Sequence, residues 1–185
     1  MKSMILASVV AAALALPAAA QQAATMTVTG AVNGDFSMET SRNTLFEDEA
    51  GAYFAAEIYA EGVDAGVTQC QDIRTGEVDY FFGDGTGFGG HILVTLEQNG
   101  GVYRLNDPTI FFDDLDADGE LVDTYANFDT VQMTILEAEC RSDEALTMTV
   151  AYKAQLLSGF GGGPGAVNVS GTARADLILR DMNEY

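Results

Sequence analysis

The sequence predicts an all-β protein: a single antiparallel β-sandwich, with a β-barrel as the alternative, of about eight or nine strands and at most one short helix. Three observations predict it. Apolar and polar residues alternate with period two along most of the chain, glycine-containing turn signals separate the alternating runs, and stretches with helical periodicity are scarce.

In chain order, Thr25 to Thr29 sets Met26 and Val28 on one face and three threonines on the other. Asn33-Gly34 then signals a hairpin, and Phe36 and Met38 alternate with Ser37 and Glu39. Residues 50–60 fit two patterns. As a strand they turn Phe54, Ala56 and Ile58 inward; as a short helix they align Ala50, Tyr53, Phe54 and Ile58, with acids before and Gly62 after. The surrounding strands favour the first. Val78 to Phe82 reads as a strand, and His91 to Gln98 and Val102 to Leu105 flank Asn99-Gly100-Gly101, a second hairpin. Thr109 to Phe112 is a short apolar run after Pro108. Val131, Met133 and Ile135 share a face, as do Leu146, Met148, Val150 and Tyr152. The last run alternates from Val167 to Leu179, with Gly171 as a candidate bulge. The glycine-rich stretches 83–90 and 158–165 read as long mobile loops, where binding surfaces usually lie. No repeat or linker divides residues 21–185, which are expected to form one domain.

Charge narrows the functions available. The 185 residues carry 28 Asp and Glu against 8 Lys and Arg, a formal net charge of −20. Nucleic-acid binding requires basic charge to replace phosphate counterions, and docking on anionic lipid requires the same. Both are excluded as partners. Hydrophobic residues make up 48% of the chain, too many for a disordered acidic tail. Such a surface also keeps a protein soluble in saline surroundings, where salt screens its self-repulsion.

Residues 1–20 read as a secretory signal peptide: Lys2, an apolar stretch from Met4 to Leu16, Pro17, and Ala18-Ala19-Ala20 before the cleavage point. Thirteen residues at ~1.5 Å rise cover roughly 20 Å, short of the ~30 Å needed to cross a bilayer, so no membrane insertion is expected after cleavage. The leader is short and alanine-rich, which points to a bacterial protein, periplasmic or secreted. In that oxidising setting the only two cysteines, Cys70 and Cys140, are expected to form a disulfide.

The best-formed candidate site is the acidic stretch 114–123. Asp114, Asp116 and Asp118 occupy positions 1, 3 and 5, Gly119 position 6, and the Glu120 carbonyl position 7, with Asp123 within reach. Hard Ca²⁺ takes six to eight oxygens, and this pattern resembles the first two thirds of an EF-hand-type calcium loop. Position 12 is Tyr125 rather than a bidentate Glu, and neither flank is helical in pattern. The resemblance therefore implies at most a calcium site (Asp114, Asp116, Asp118, Glu120, Asp123), not the EF-hand fold. The alternative is a solvated acidic turn made by Asp118-Gly119.

Other motifs carry less. Residues 85–90 contain G-x-G-x-x-G, yet a strand pattern follows where dinucleotide binding needs a helix. His91 is the only imidazole and no G-x-S-x-G accompanies it. No catalytic residue is assigned. The leading expectation is a non-catalytic binding or structural, surface-assembly module with an unidentified protein or small-molecule partner, stabilised by calcium at 114–123. The alternatives are a small secreted hydrolase working through carboxylates or His91, and a carrier of a small apolar ligand.

Overall fold

A computed structural model describes residues 22–40, 46–47, 53–60, 70, 73–84, 87–127, 131–141, 146–159 and 165–181. The described residues contain eleven strands and no helix: β1 (Gln22–Gly30), β2 (Gly34–Thr40), β3 (Phe46–Glu47), β4 (Tyr53–Ala60), β5 (Thr75–Gly83), β6 (Phe88–Asn99), β7 (Val102–Leu115), β8 (Leu121–Asn127), β9 (Gln132–Cys140), β10 (Leu146–Ser158) and β11 (Ala166–Asp181). The leader expected over residues 1–20 lies outside the described residues.

All eleven strands belong to one sheet, ordered β2-β1-β11-β10-β8-β7-β6-β5-β4-β3, with β9 alongside β10. Neighbours are antiparallel except β11 and β4, which pair in parallel over Ile178–Asp181 and Glu57–Ala60. Arg180 reinforces that junction, its Nε and Nη2 donating to Glu57 Oε1 at 3.0 and 2.9 Å. On the far side β8 meets β10 through only two residue pairs, Leu157↔Ala126 and Ser158↔Tyr125. The rest of that edge of β10 pairs with β9. The hydrogen bonding therefore does not run on as a continuous cylinder, and the sheet folds over itself in a sandwich-like arrangement.

Alternation puts the core between the two halves. Met26, Val28, Phe36, Val169 and Leu156 come from one half; Phe54, Ile58, Tyr80, Phe82, Ile92 and Phe112 come from the other. Phe36 stacks on Phe82 at 5.2 Å between centroids, a direct contact across the halves. Cys140, at the end of β9, is bonded to the buried Cys70 with their Cα atoms 5.8 Å apart. Closing a loop of 70 residues restricts the unfolded chain by about 4 kcal/mol in the chain-entropy account.

Several elements differ from the sequence expectation. Eleven strands replace the eight or nine expected, because Leu121–Asn127 pairs as β8 and Phe46–Glu47 as a two-residue β3. The runs on either side of Pro108 form one strand, β7, through a register shift opposite Leu93 and Thr95 with Asp107 at φ 51°. A bulge is where a sheet accepts proline, since no ladder N–H is needed there. Residues 53–60 are a strand with Phe54, Ala56 and Ile58 buried, as the neighbours suggested.

Glycines of the first stretch serve a different purpose from the one expected, while residues 160–164 of the second lie outside the described residues. Gly83, at the end of β5, and residues 88–90, at the start of β6, are strand rather than loop, with Gly83 opposite Gly89 and Phe82 opposite Gly90. A Cβ at Gly83 would fall 2.6 Å from Tyr53 Cζ, so the glycines make room for rings lying across the strands. Gly171 is no bulge: pairing with β1 and β10 runs through it without a shift. Its missing side chain leaves space for the Tyr152 hydroxyl, which donates to the Thr25 carbonyl at 2.6 Å. Thr25 Oγ1 in turn accepts from the Thr172 N–H at 3.0 Å.

Two buried tyrosines give a stability test. Tyr152 is bonded in this way, whereas the fully buried Tyr80 hydroxyl has no hydrogen-bond partner among the described residues. Tyr152→Phe orphans a buried carbonyl and should cost about 1–3 kcal/mol in urea unfolding. Tyr80→Phe removes an unpaired hydroxyl and should leave stability unchanged or raised.

Candidate functional site

The outer face of the sheet carries a row of residues in direct cross-strand register. Ala55 on β4 faces Phe81 on β5, Phe81 faces His91 on β6, His91 faces Phe111 on β7, and Phe111 faces Ala126 on β8. Ala55, Phe81, His91 and Phe111 are at odd positions in strands whose even positions fill the core, and Ala126 alternates with the core residue Tyr125, so the pleat sets the row on the face away from the core, where Phe81, His91, Phe111 and Ala126 are partly exposed. The imidazole lies between two phenyl rings, 5.6 Å from Phe81 and 5.7 Å from Phe111 by centroids. Neighbouring strands are ~4.8 Å apart, so three adjacent rings make a platform roughly 10 Å across.

The next row holds Glu57, Asp79, Leu93 and Thr109, again in direct register. Asp79 Oδ1 lies 2.5 Å from His91 Nε2, and among the described residues neither atom has another hydrogen-bond partner. The imidazole is 39% exposed while the carboxylate is 10% exposed, so the acid anchors the ring from beneath and leaves one side to solvent. Glu57 is fully engaged, with Arg180 on Oε1 and the Tyr59 hydroxyl donating to Oε2 at 2.6 Å. On the other side of the row, Asp113 Oδ1 accepts from the Thr124 hydroxyl at 2.7 Å.

These neighbours tune the imidazole. Contact with the Asp79 carboxylate raises His91 above the ordinary value of 6.5; burial opposes this, and the charges of Asp79, Asp113 and Glu77 add to the rise. Burial also raises the Asp79 carboxyl, and His91 only partly offsets that. The pair is an acid–base couple, but no hydroxyl or thiol hydrogen-bonds to His91 among the described residues. Its cross-strand neighbours are phenyl rings, and among the described residues no nucleophile of the Ser-His-Asp kind stands beside it.

The acidic hairpin divides the five expected metal ligands into three groups. Asp114 and Asp123 are a direct cross-strand pair at its base. Asp123 is buried with Oδ1 lacking a hydrogen-bond partner among the described residues, and burial followed by the charge of Asp123 raises the Asp114 carboxyl. Asp116 is committed to its own turn: Oδ1 accepts from the backbone N–H groups of Asp118 and Glu120, both at 2.9 Å, and Gly119 takes φ 79°. Asp118 and the Glu120 side chain are exposed at the tip. Among the described residues no three of His, Cys, Asp and Glu gather closely enough to hold a metal ion. The hairpin thus offers one carboxylate pair where a calcium shell takes six to eight oxygens.

Sequence reasoning singled out His91 only as a lone imidazole and missed Asp79, whose signal was its place two residues before Phe81 on the same strand face. A single histidine makes the pair easy to observe. The His91 ring is expected to titrate by NMR with a midpoint above 6.5, falling in Asp79→Asn. A folded value above the unfolded one contributes stability that is complete below the unfolded value and lost as pH rises through the folded midpoint. Urea stability should therefore decline across that interval, and less so in His91→Gln; a midpoint at or below 6.5 contradicts the assignment. Compared with known proteins, the chain matches no family model, no curated protein and no solved structure.

Proposed function

We propose that this protein is an exported, non-catalytic binding module whose outer β4–β8 face takes a partner rich in arginine or lysine. The observation that carries the reading is the Phe81–His91–Phe111 row, set among the carboxylates of Asp79, Glu77 and Asp113. Phenyl faces attract a cation through their quadrupole by ~0.5–1 kcal/mol when exposed, and nearby carboxylates add charge-assisted hydrogen bonds. A net charge of −20 concentrates cations around the whole molecule before any specific contact forms. Export is supported by the leader pattern and by the Cys70–Cys140 bond. No helix of the described residues is long and apolar enough to cross a membrane. The reading requires neither calcium nor a catalytic step.

The test separates a built site from general attraction between a polyanion and a polycation. Calorimetric titration with an arginine-rich peptide is expected to show Phe111→Ala weakening binding roughly fivefold, the equivalent of ~1 kcal/mol, and still doing so in high salt. Glu139→Gln, an exposed acid on β9, should change affinity little once salt is raised. Equal weakening by the two variants would leave only non-specific charge attraction and contradict the proposal.

A further inference from the structure

At the turn between β6 and β7 the sheet ends in a groove of about 680 Å³ whose lining includes Arg74, Thr75, Glu97, Gln98, Asn99 and Arg104. Two arginines at one groove are notable in a chain with 8 basic residues against 28 acids. Register explains the gathering. Arg74 immediately precedes β5 and Arg104 is on β7 opposite Glu97, so the arginines come from the two sides of β6. The turn itself is tight, Gly100 and Gly101 taking φ 59° and 84°, which is the two-residue geometry that holds β6 and β7 in this register.

The two guanidinium groups are held differently. Arg74 is positioned: its Nη1 donates to Gln98 Oε1 at 3.0 Å, and Gln98, 9% exposed, is tied back by its own N–H to the Arg74 carbonyl at 2.8 Å. Arg104 is exposed and makes no hydrogen bond or ion pair with any described residue, although Glu97 lies directly across the ladder. A planar guanidinium fork matches a carboxylate through two parallel N–H···O bonds, and an amide and a hydroxyl beside it suit the remaining oxygens. Adjacent strands are ~4.8 Å apart, which sets the two walls roughly 10 Å apart at the backbone, a span that two arginine side chains reach across from either end of a short diacid.

We propose that this groove is a binding site for a small dicarboxylate, one carboxylate held by Arg74 and the other by Arg104. The site opposes the field of the whole molecule, which repels anions, so saturable uptake of one has to be local. Glu97 reduces affinity by its like charge and sets the strength of the site.

Succinate and acetate are the probes, titrated into the full chain while backbone amide shifts are followed by NMR. Succinate is expected to shift the amides of Arg74, Gln98 and Arg104 saturably and to bind more tightly than acetate. Arg104→Gln should weaken succinate about tenfold or more, and Glu97→Gln should tighten it. Both side chains are exposed, so the variants keep the fold, and the unchanged amide shifts of β10 and β11 confirm it in the same spectra. Absence of saturable shifts, equal binding of succinate and acetate, or an Arg104→Gln variant that binds as well as the parent each overturns the proposal. None of these outcomes depends on whether the Phe81–His91–Phe111 row binds a basic partner.

Discussion

The register of β5, β6 and β7 is the constraint from which the rest of the molecule follows. Side chains alternate with a period of two, so a slip of one residue would exchange the whole outer face for the core. In the observed register Val78, Tyr80, Phe82, Ile92, Val94, Leu96, Ile110 and Phe112 are buried together. Their burial stabilises that register, each such side chain by roughly 1.5–3 kcal/mol relative to exposure. The outward row of Phe81, His91 and Phe111 is then a consequence, as is the alignment of Thr75, Glu97 and Arg104 further along the same strands. Both candidate surfaces inherit their geometry from residues that never touch a ligand.

Strand β11 turns that local order into a complete fold. It pairs with β1 and β10 along most of its length and with β4 at its end, so it joins the two halves of the sheet. The Arg180–Glu57 ion pair sits at that junction, and Glu57 in turn faces Asp79 beneath the imidazole. The disulfide acts at the same end of β11, holding the end of β9, which pairs only with β10 among the described residues, to the buried Cys70. Acidic self-repulsion across the surface makes these ties more important, because a net charge of −20 favours expansion.

The fold class was legible because alternation is a property of each strand alone. Thr25 to Thr29, Val131 to Ile135 and Leu146 to Tyr152 show it without reference to any neighbour. The cysteine pair was legible for a similar reason: with only two thiols, pairing has one solution. What was hidden depends on partners distant in sequence. Nothing local says that Gly171 is a gap for the hydroxyl of Tyr152, or that Gly83 and Gly89 lie under Tyr53. Pro108 looked like a strand end because its role in a bulge depends on β6. The pairing of the acidic hairpin was hidden in the same way. Its spacing matched a loop pattern, but Leu121–Asn127 pairs with β7, which sends Asp123 back beside Asp114 and leaves Asp118 at the tip. His91 and Asp79 are twelve residues apart in sequence and were read separately; only pairing between β5 and β6 makes them one site.

A basic partner, an aromatic row anchored by a carboxylate and an arginine-lined groove all presuppose that His91 faces outward between two phenyl rings. Nuclear Overhauser contacts of the imidazole protons measure this directly, since the chain has a single histidine. Contacts to the ring protons of both Phe81 and Phe111, with none to the core residues Ile58 and Leu156, are the predicted result. Contacts from the imidazole to those core side chains would show the strand turned over and contradict the account.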